Sequence, residues 1–172
     1  MWKIIGVLFI MTGIAGLLYS WVKMQKERQQ RLEELIQFVH KSVFAMEEEK
    51  VRVIDFFEKY HETNNTLLGN TLYDIAMRLQ WHVYPSGQEV WEEVLREKKE
   101  EWMLEDVMFQ SVLQVGNGFF GRSKEENICV LRKWLNEIEA LQKKGKEKEE
   151  QERKVWIPVG MLGGMMIIIL FI

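Results

Sequence analysis

Val155–Ile172 reads VWIPVGMLGGMMIIILFI, eighteen residues without a charge or a strongly polar side chain. A helix rises about 1.5 Å per residue, so roughly 18–20 apolar residues cover a hydrocarbon core of about 30 Å. The run is therefore expected to be a transmembrane helix. Trp156 stands where an amphipathic ring suits the headgroup zone. Pro158 is expected in the first turn, where its missing N–H costs little.

Residues 143–154, just before this run, are Lys, Glu, Gln and Arg with one glycine, Gly145. Without an apolar face they suit an exposed helical stalk, with disorder as the alternative. A second apolar run, Ile4–Val22, opens the chain. It contains Thr12 and Ser20, whose hydroxyls can bond back to helix carbonyls. Tyr19 and Trp21 close it, and Trp2 stands at its other end. The rival for this run is a cleaved signal peptide, with Lys3 as a minimal positive start and Gly13 and Ala15 as a small-x-small site. The run continues past Ala15 and then meets a basic cluster, which favours a retained anchor.

Lysines and arginines orient the two runs. Lys23, Lys26, Arg28 and Arg31 follow the first; Lys143, Lys144, Lys146, Lys148, Arg153 and Lys154 precede the second; only Lys3 lies outside the pair. The positive-inside rule then places the middle in the cytoplasm and both termini across the membrane. Small residues recur at helix-face spacing in both runs: Gly6, Gly13 and Gly16 in the first, Gly160, Gly163 and Gly164 in the second. Such positions let helices pack closely in lipid, although glycine is also frequent in membrane helices for no such purpose.

The composition limits the rest. A chain of 172 residues suits one compact domain plus appendages. A net charge of −3 offers no basic footprint for nucleic acid. The single cysteine, Cys129, excludes an intrachain disulfide. Abundant Lys, Glu, Leu and Met and only two prolines favour helix over strand.

Between the runs the apolar positions repeat at three- and four-residue steps. Leu32, Leu35, Ile36, Val39, Val43 and Met46 mark a helix over about 24–48 that can continue straight from the first run. Val53, Ile54, Phe57 and Tyr60 mark a second, and Leu68, Leu72, Ile75, Ala76, Leu79 and Val83 a third, with Gly69 near its start. Pro85-Ser86-Gly87 is a break, and Ser86 with Glu89 forms a capping pattern for the next helix, which turns Val90, Trp91, Val94 and Leu95 inward. Residues 96–101 read as solvated. Leu104, Val107, Met108, Val112 and Val115 mark another helix, and Gly116-Asn117-Gly118 with Gly121 reads as its end. Ser123 with Glu126 caps the last helix, carrying Ile128, Leu131, Trp134, Leu135, Ile138 and Leu141. No stretch alternates as a strand. The fold class expected is all-α: an antiparallel bundle of five to six helices between N- and C-terminal transmembrane helices. The segments are 1–23 (transmembrane), 24–142 (cytoplasmic bundle), 143–154 (charged stalk) and 155–172 (transmembrane).

No residue pattern points to catalysis, a cofactor or a metal. His40, His61 and His82 are too far apart for a local metal motif. Cys129, beside Ile128 and Val130, reads as a packed thiol rather than a nucleophile. Phosphate-binding loops and a G-x-S-x-G elbow are absent. Trp81, Trp91, Trp102 and Trp134 are core or interface candidates. Trp81, with His82 and Tyr84 beside it, is the expected partner-contact surface.

This pattern resembles the stage III sporulation protein AB family. Two runs enclosing a helical domain, the RLEEL segment Arg31–Leu35, the stretch from Val112 to Asn127, and the close through Lys154, Trp156 and Leu162-Gly163-Gly164 carry the resemblance across essentially the whole chain. The family's aspartate and glutamine after its second apolar-glycine pair are replaced here by Ser123 and Asn127. Serine also caps helices, so the turn would survive where a carboxylate contact would not. The resemblance implies a non-enzymatic platform, similar to those of type II secretion and type IV pilus machines, in the mother cell–forespore channel complex. It implies a mother-cell membrane location facing the forespore, a partner ATPase of the same operon, and other membrane channel subunits. A homo-oligomer is compatible with it. The alternative is a two-span envelope adaptor not tied to sporulation.

Overall fold

The computed structural model describes residues 2–48, 52–81 and 86–171, apart from the side chains of residues 2–5, 7–11, 14, 148, 149, 152, 153, 156, 157, 161, 164, 165 and 167–171. These residues form α1 (Trp2–Glu48), α2 (Val53–Thr63), α3 (Leu67–Gln80), α4 (Gly87–Glu97), α5 (Lys99–Trp102), α6 (Asp106–Phe119) and α7 (Lys124–Phe171). No strand occurs among them. The class is all-α, as the periodicity requires, with seven helices rather than five or six. Two units are distinct: Arg28–Leu141, and Met1–Glu27 with Gln142–Ile172.

The first unit is the bundle. Leu32, Leu35, Ile36, Phe38, Val39 and Val43 of α1 are buried in it. Phe38 falls outside the stripe read from the sequence, yet it is wholly buried and meets Phe56, Phe57, Tyr60 and Phe119 with ring centroids 4.8–5.8 Å apart. Offset and edge-on ring pairs of this kind add about 0.5–1.5 kcal/mol each beyond burial. Trp91 and Trp134 close the core with indole N–H bonds to the Val112 carbonyl (3.1 Å) and the Ser111 carbonyl (2.8 Å). These bonds satisfy polar atoms whose burial would otherwise cost energy.

Helix starts follow the expected chemistry. Ser86 Oγ accepts from the Glu89 N–H, and Ser123 Oγ from the Glu126 N–H, both at 3.2 Å. Thr66 caps α3 by accepting from the Gly69 N–H. A Cβ on Gly69 would run into the Asn64 carbonyl, so this glycine permits the tight α2–α3 turn. The second helix starts at Val53 and the third ends at Gln80, short of Val83, which lies outside the described residues.

Several expectations are corrected. Gly116-Asn117-Gly118 does not end its helix; α6 runs on to Phe119. A Cβ on Gly116 would meet the Trp91 ring at 2.8 Å, and one on Gly118 the Leu131 side chain at 2.5 Å. These glycines serve close helix approach, and no described glycine has a positive φ. Residues 96–101 are solvated as expected, with Lys98 alone half-buried; α4 ends within them at Glu97, and α5 leads on into buried Trp102. Met103 then turns the chain with a left-handed φ of 52°. Val107 faces out, 67% exposed, because the inward face of α6 belongs to Phe109, Val112 and Leu113. Cys129 is exposed, since Ile128 and Leu131 take the inner face there. Pro158 lies inside α7 rather than in a first turn.

Among the described residues no helix is long and apolar enough to cross a membrane. The side chains of residues 4, 5, 7–11 and 14, and of 156, 157, 161, 164, 165 and 167–171, with the whole of residue 172, lie outside that statement. They supply most of the apolar character of the two terminal runs.

Candidate interaction surface

The Arg28–Leu141 unit presents one aromatic face on α3. Tyr73, Met77 and Trp81 follow at four-residue steps, which places them on one side of the helix. Trp81 caps the helix, its N–H bonded to the Met77 carbonyl at 3.2 Å, and is 72% exposed. Tyr73 is also exposed and stacks on His61, with ring centroids 4.6 Å apart. Trp91, Trp102 and Trp134 are buried, so Trp81 alone of the four bundle tryptophans faces outward. His82 and Tyr84 lie outside the described residues.

Polar pairs fix the flanks of this face. Arg78 binds the Glu97 carboxylate through both terminal nitrogens, at 2.6 and 3.1 Å. Lys98 reaches Asp74, and Gln80 reaches Glu58. Ion pairs this exposed contribute only about 0–1 kcal/mol, so their role is to hold α3 in register with α2 and α4. A rigid aromatic surface rimmed by paired charges suits protein contact.

The Ser123–Asn127 turn is built as its residues allow. Besides the Ser123 cap, the Asn127 side-chain amide donates to the Phe119 carbonyl at 3.4 Å, tying α7 to the end of α6. A Cβ on Gly121 would strike the Asn127 side chain. The turn therefore stands without the carboxylate found in the family pattern.

The histidines are apart. His40 contacts Glu139 at 3.2 Å, His61 lies under Tyr73, and no group of three or more metal-ligating side chains occurs among the described residues. The glycines of the terminal runs are open: a Cβ on Gly6, Gly13, Gly16, Gly160 or Gly163 would meet nothing within 4 Å. The side-chain surroundings of Gly164 lie outside the described residues.

A family model described as stage III sporulation protein AB matches residues 3–172. No curated protein and no solved structure matches the chain.

Proposed function

The chain belongs to the stage III sporulation protein AB family, and on that premise we propose that it is a non-enzymatic membrane platform of the mother cell–forespore channel complex. Family membership gives it a role in sporulation. The observation that carries the finer reading is the match over residues 3–172, which takes in both terminal runs and the bundle between them.

In this reading Ile4–Val22 and Val155–Ile172 cross the mother-cell membrane facing the forespore. Their charge-free composition supports this, as do the lysine and arginine clusters that follow the first and precede the second. The Arg28–Leu141 unit then stands in the mother-cell cytoplasm. The partner ATPase of the same operon docks on it, through the α3 face that ends in Trp81 and the adjoining His82 and Tyr84. Other channel subunits pack on the small residues Gly6, Gly13, Gly16, Gly160, Gly163 and Gly164.

The work is mechanical. A push at Trp81 travels along α3, through its packing on α2, and from Phe57 and Tyr60 into Phe38 of α1. Close-packed interiors have low compressibility and pass such displacement on.

The full chain in detergent micelles, titrated with the purified ATPase, is expected to bind saturably. Trp81→Ala is expected to weaken binding about tenfold, as truncating an exposed aromatic anchor does. Absence of binding at high micromolar concentration would overturn the docking. In the host, deletion is expected to leave growth normal and to halt spore development after engulfment; normal sporulation would overturn the platform.

A further inference from the structure

An open groove of about 350 Å³ runs between α1 and α7 within the Arg28–Leu141 unit. At one end Glu47 of α1 pairs with Arg132 of α7. At the other, His40 of α1 contacts Glu139 of α7 at 3.2 Å. The two helices are therefore antiparallel, and their polar pairs form two levels. Seven residues separate the levels on each helix, about 10 Å at 1.5 Å per residue. Between them Phe44 stands 65% exposed beside buried Val43 and Leu135.

The Glu47 and Arg132 charges cancel on this face and the Glu139 carboxylate is already held by the His40 ring, so the face offers no strong field of one sign to an acidic or a basic ligand. They match a second copy of the same face. A two-fold axis parallel to α1 and α7 lays each copy's α1 on the other's α7 and keeps every level at its own height. Glu47 then meets the partner's Arg132, His40 meets the partner's Glu139, and Phe44 is covered by the partner's Leu135 and Asn136. One patch meeting itself in this manner is an isologous interface, and complementary charges set its register.

We propose that the α1–α7 groove is a self-association surface, joining two copies through a two-fold axis parallel to these helices. The direction of the axis rests on the reading that both terminal runs cross one membrane. Two chains set the same way in one membrane are related by a two-fold along its normal, which keeps each level of one copy at the height of the same level in the other.

Charge reversal tests the pairing in the full chain. Glu47→Arg places two positive charges at its level, and Arg132→Glu places two negative ones. Each variant alone is expected to dimerise at least tenfold more weakly than the wild type in detergent micelles, followed by energy transfer between labelled copies. Mixed, the two are expected to pair with each other, because each supplies the charge the other lacks. No purely internal effect of either substitution restores pairing in trans. Phe44→Ser gives a second route, since that ring is exposed in the single chain. It is expected to weaken dimerisation about tenfold with helix content unchanged.

A Cys129→Ser background then fixes the axis. A copy with Phe44→Cys is expected to cross-link to a differently tagged copy with Asn136→Cys. Cross-linking of Phe44→Cys to itself instead would overturn the parallel axis. A monomeric wild type, no recovery on mixing, or an unaffected Phe44→Ser dimer would overturn the surface. Accessibility labelling of Cys129 in cells tests the membrane reading by itself, so the two can fail separately.

Discussion

A Cβ on Gly116 would lie 2.8 Å from the ring of Trp91, a side chain 1% exposed and held by its bond to the Val112 carbonyl. Neither partner can yield cheaply. Gly116→Ala is therefore expected to destabilise the bundle by about 1–3 kcal/mol, the usual cost of overpacking. Thermal unfolding of the full chain in micelles would read this, and an unchanged midpoint would refute the contact. Sequence alone hides the reason. Glycine has two properties, freedom at positive φ and the lack of a side chain, and a cluster such as Gly116-Asn117-Gly118 is commonly read by the first. Here the second applies, and the left-handed position falls to Met103. A left-handed φ costs an ordinary residue about 1–2 kcal/mol, so Met103→Gly is expected to raise the unfolding midpoint and Met103→Val to lower it. The indoles differ in a related way. Trp102 Nε1 is buried without a hydrogen-bond partner among the described residues, whereas Trp91 has one. Trp91→Phe should therefore lose about 1 kcal/mol more than Trp102→Phe in the same measurement, since only the former gives up a hydrogen bond, the Val112 carbonyl keeping its helical one.

Three helical elements meet at one carboxylate. Glu34 of α1 accepts from the Tyr60 hydroxyl of α2, at 3.1 Å, and from the Thr66 hydroxyl that caps α3. Burial first, and then the Glu34 charge, push the Tyr60 hydroxyl above its ordinary value of 10.0. Tyr60 thus stays neutral in the folded bundle after the unfolded chain has begun to ionise. Its contribution is fully present below the unfolded value and is lost as pH rises past about 10. The stability gap between wild type and Tyr60→Phe is expected to be about 1 kcal/mol near neutrality and to close above pH 10, in paired denaturant titrations. A gap that stays constant with pH would mean the hydroxyl is not buried against Glu34. At this scale the sequence is most legible where interactions are local. Ser86 with Glu89, and Ser123 with Glu126, announce their caps because the bond spans three residues. Phe38 is not announced. It sits beside the stripe of α1 and is buried because α2 and α6 wrap a wider face than one stripe covers. Trp81 was legible as a contact candidate from its place beside His82 and Tyr84, whereas the face it shares with Tyr73 required α3 to be in place.

For the whole molecule, the two charge-free runs and the basic clusters bracketing the middle are plain in the sequence, because length and polarity are read directly from residue types. Partner and oligomer surfaces are not plain, since they depend on which faces packing leaves open, such as Phe44 between two polar levels on α1 and α7. The membrane reading turns on one residue already present. Cys129 is the only cysteine and is exposed, within the unit expected in the cytoplasm. In intact vegetative cells made to produce the full chain, where the far side of the membrane meets the medium, a membrane-impermeant maleimide is expected to leave Cys129 unlabelled, and to label it once the membrane is opened. A Cys129→Ser chain with one cysteine added after Ile172 should behave in the opposite way, labelling in intact cells, because the positive residues 143–154 hold the other end of that run inside. Labelling of Cys129 in intact cells would place the bundle on the far side and remove the cytoplasmic ATPase from reach. Equal labelling at both sites before and after opening would mean that the runs do not separate two compartments, and the platform reading would fall with them.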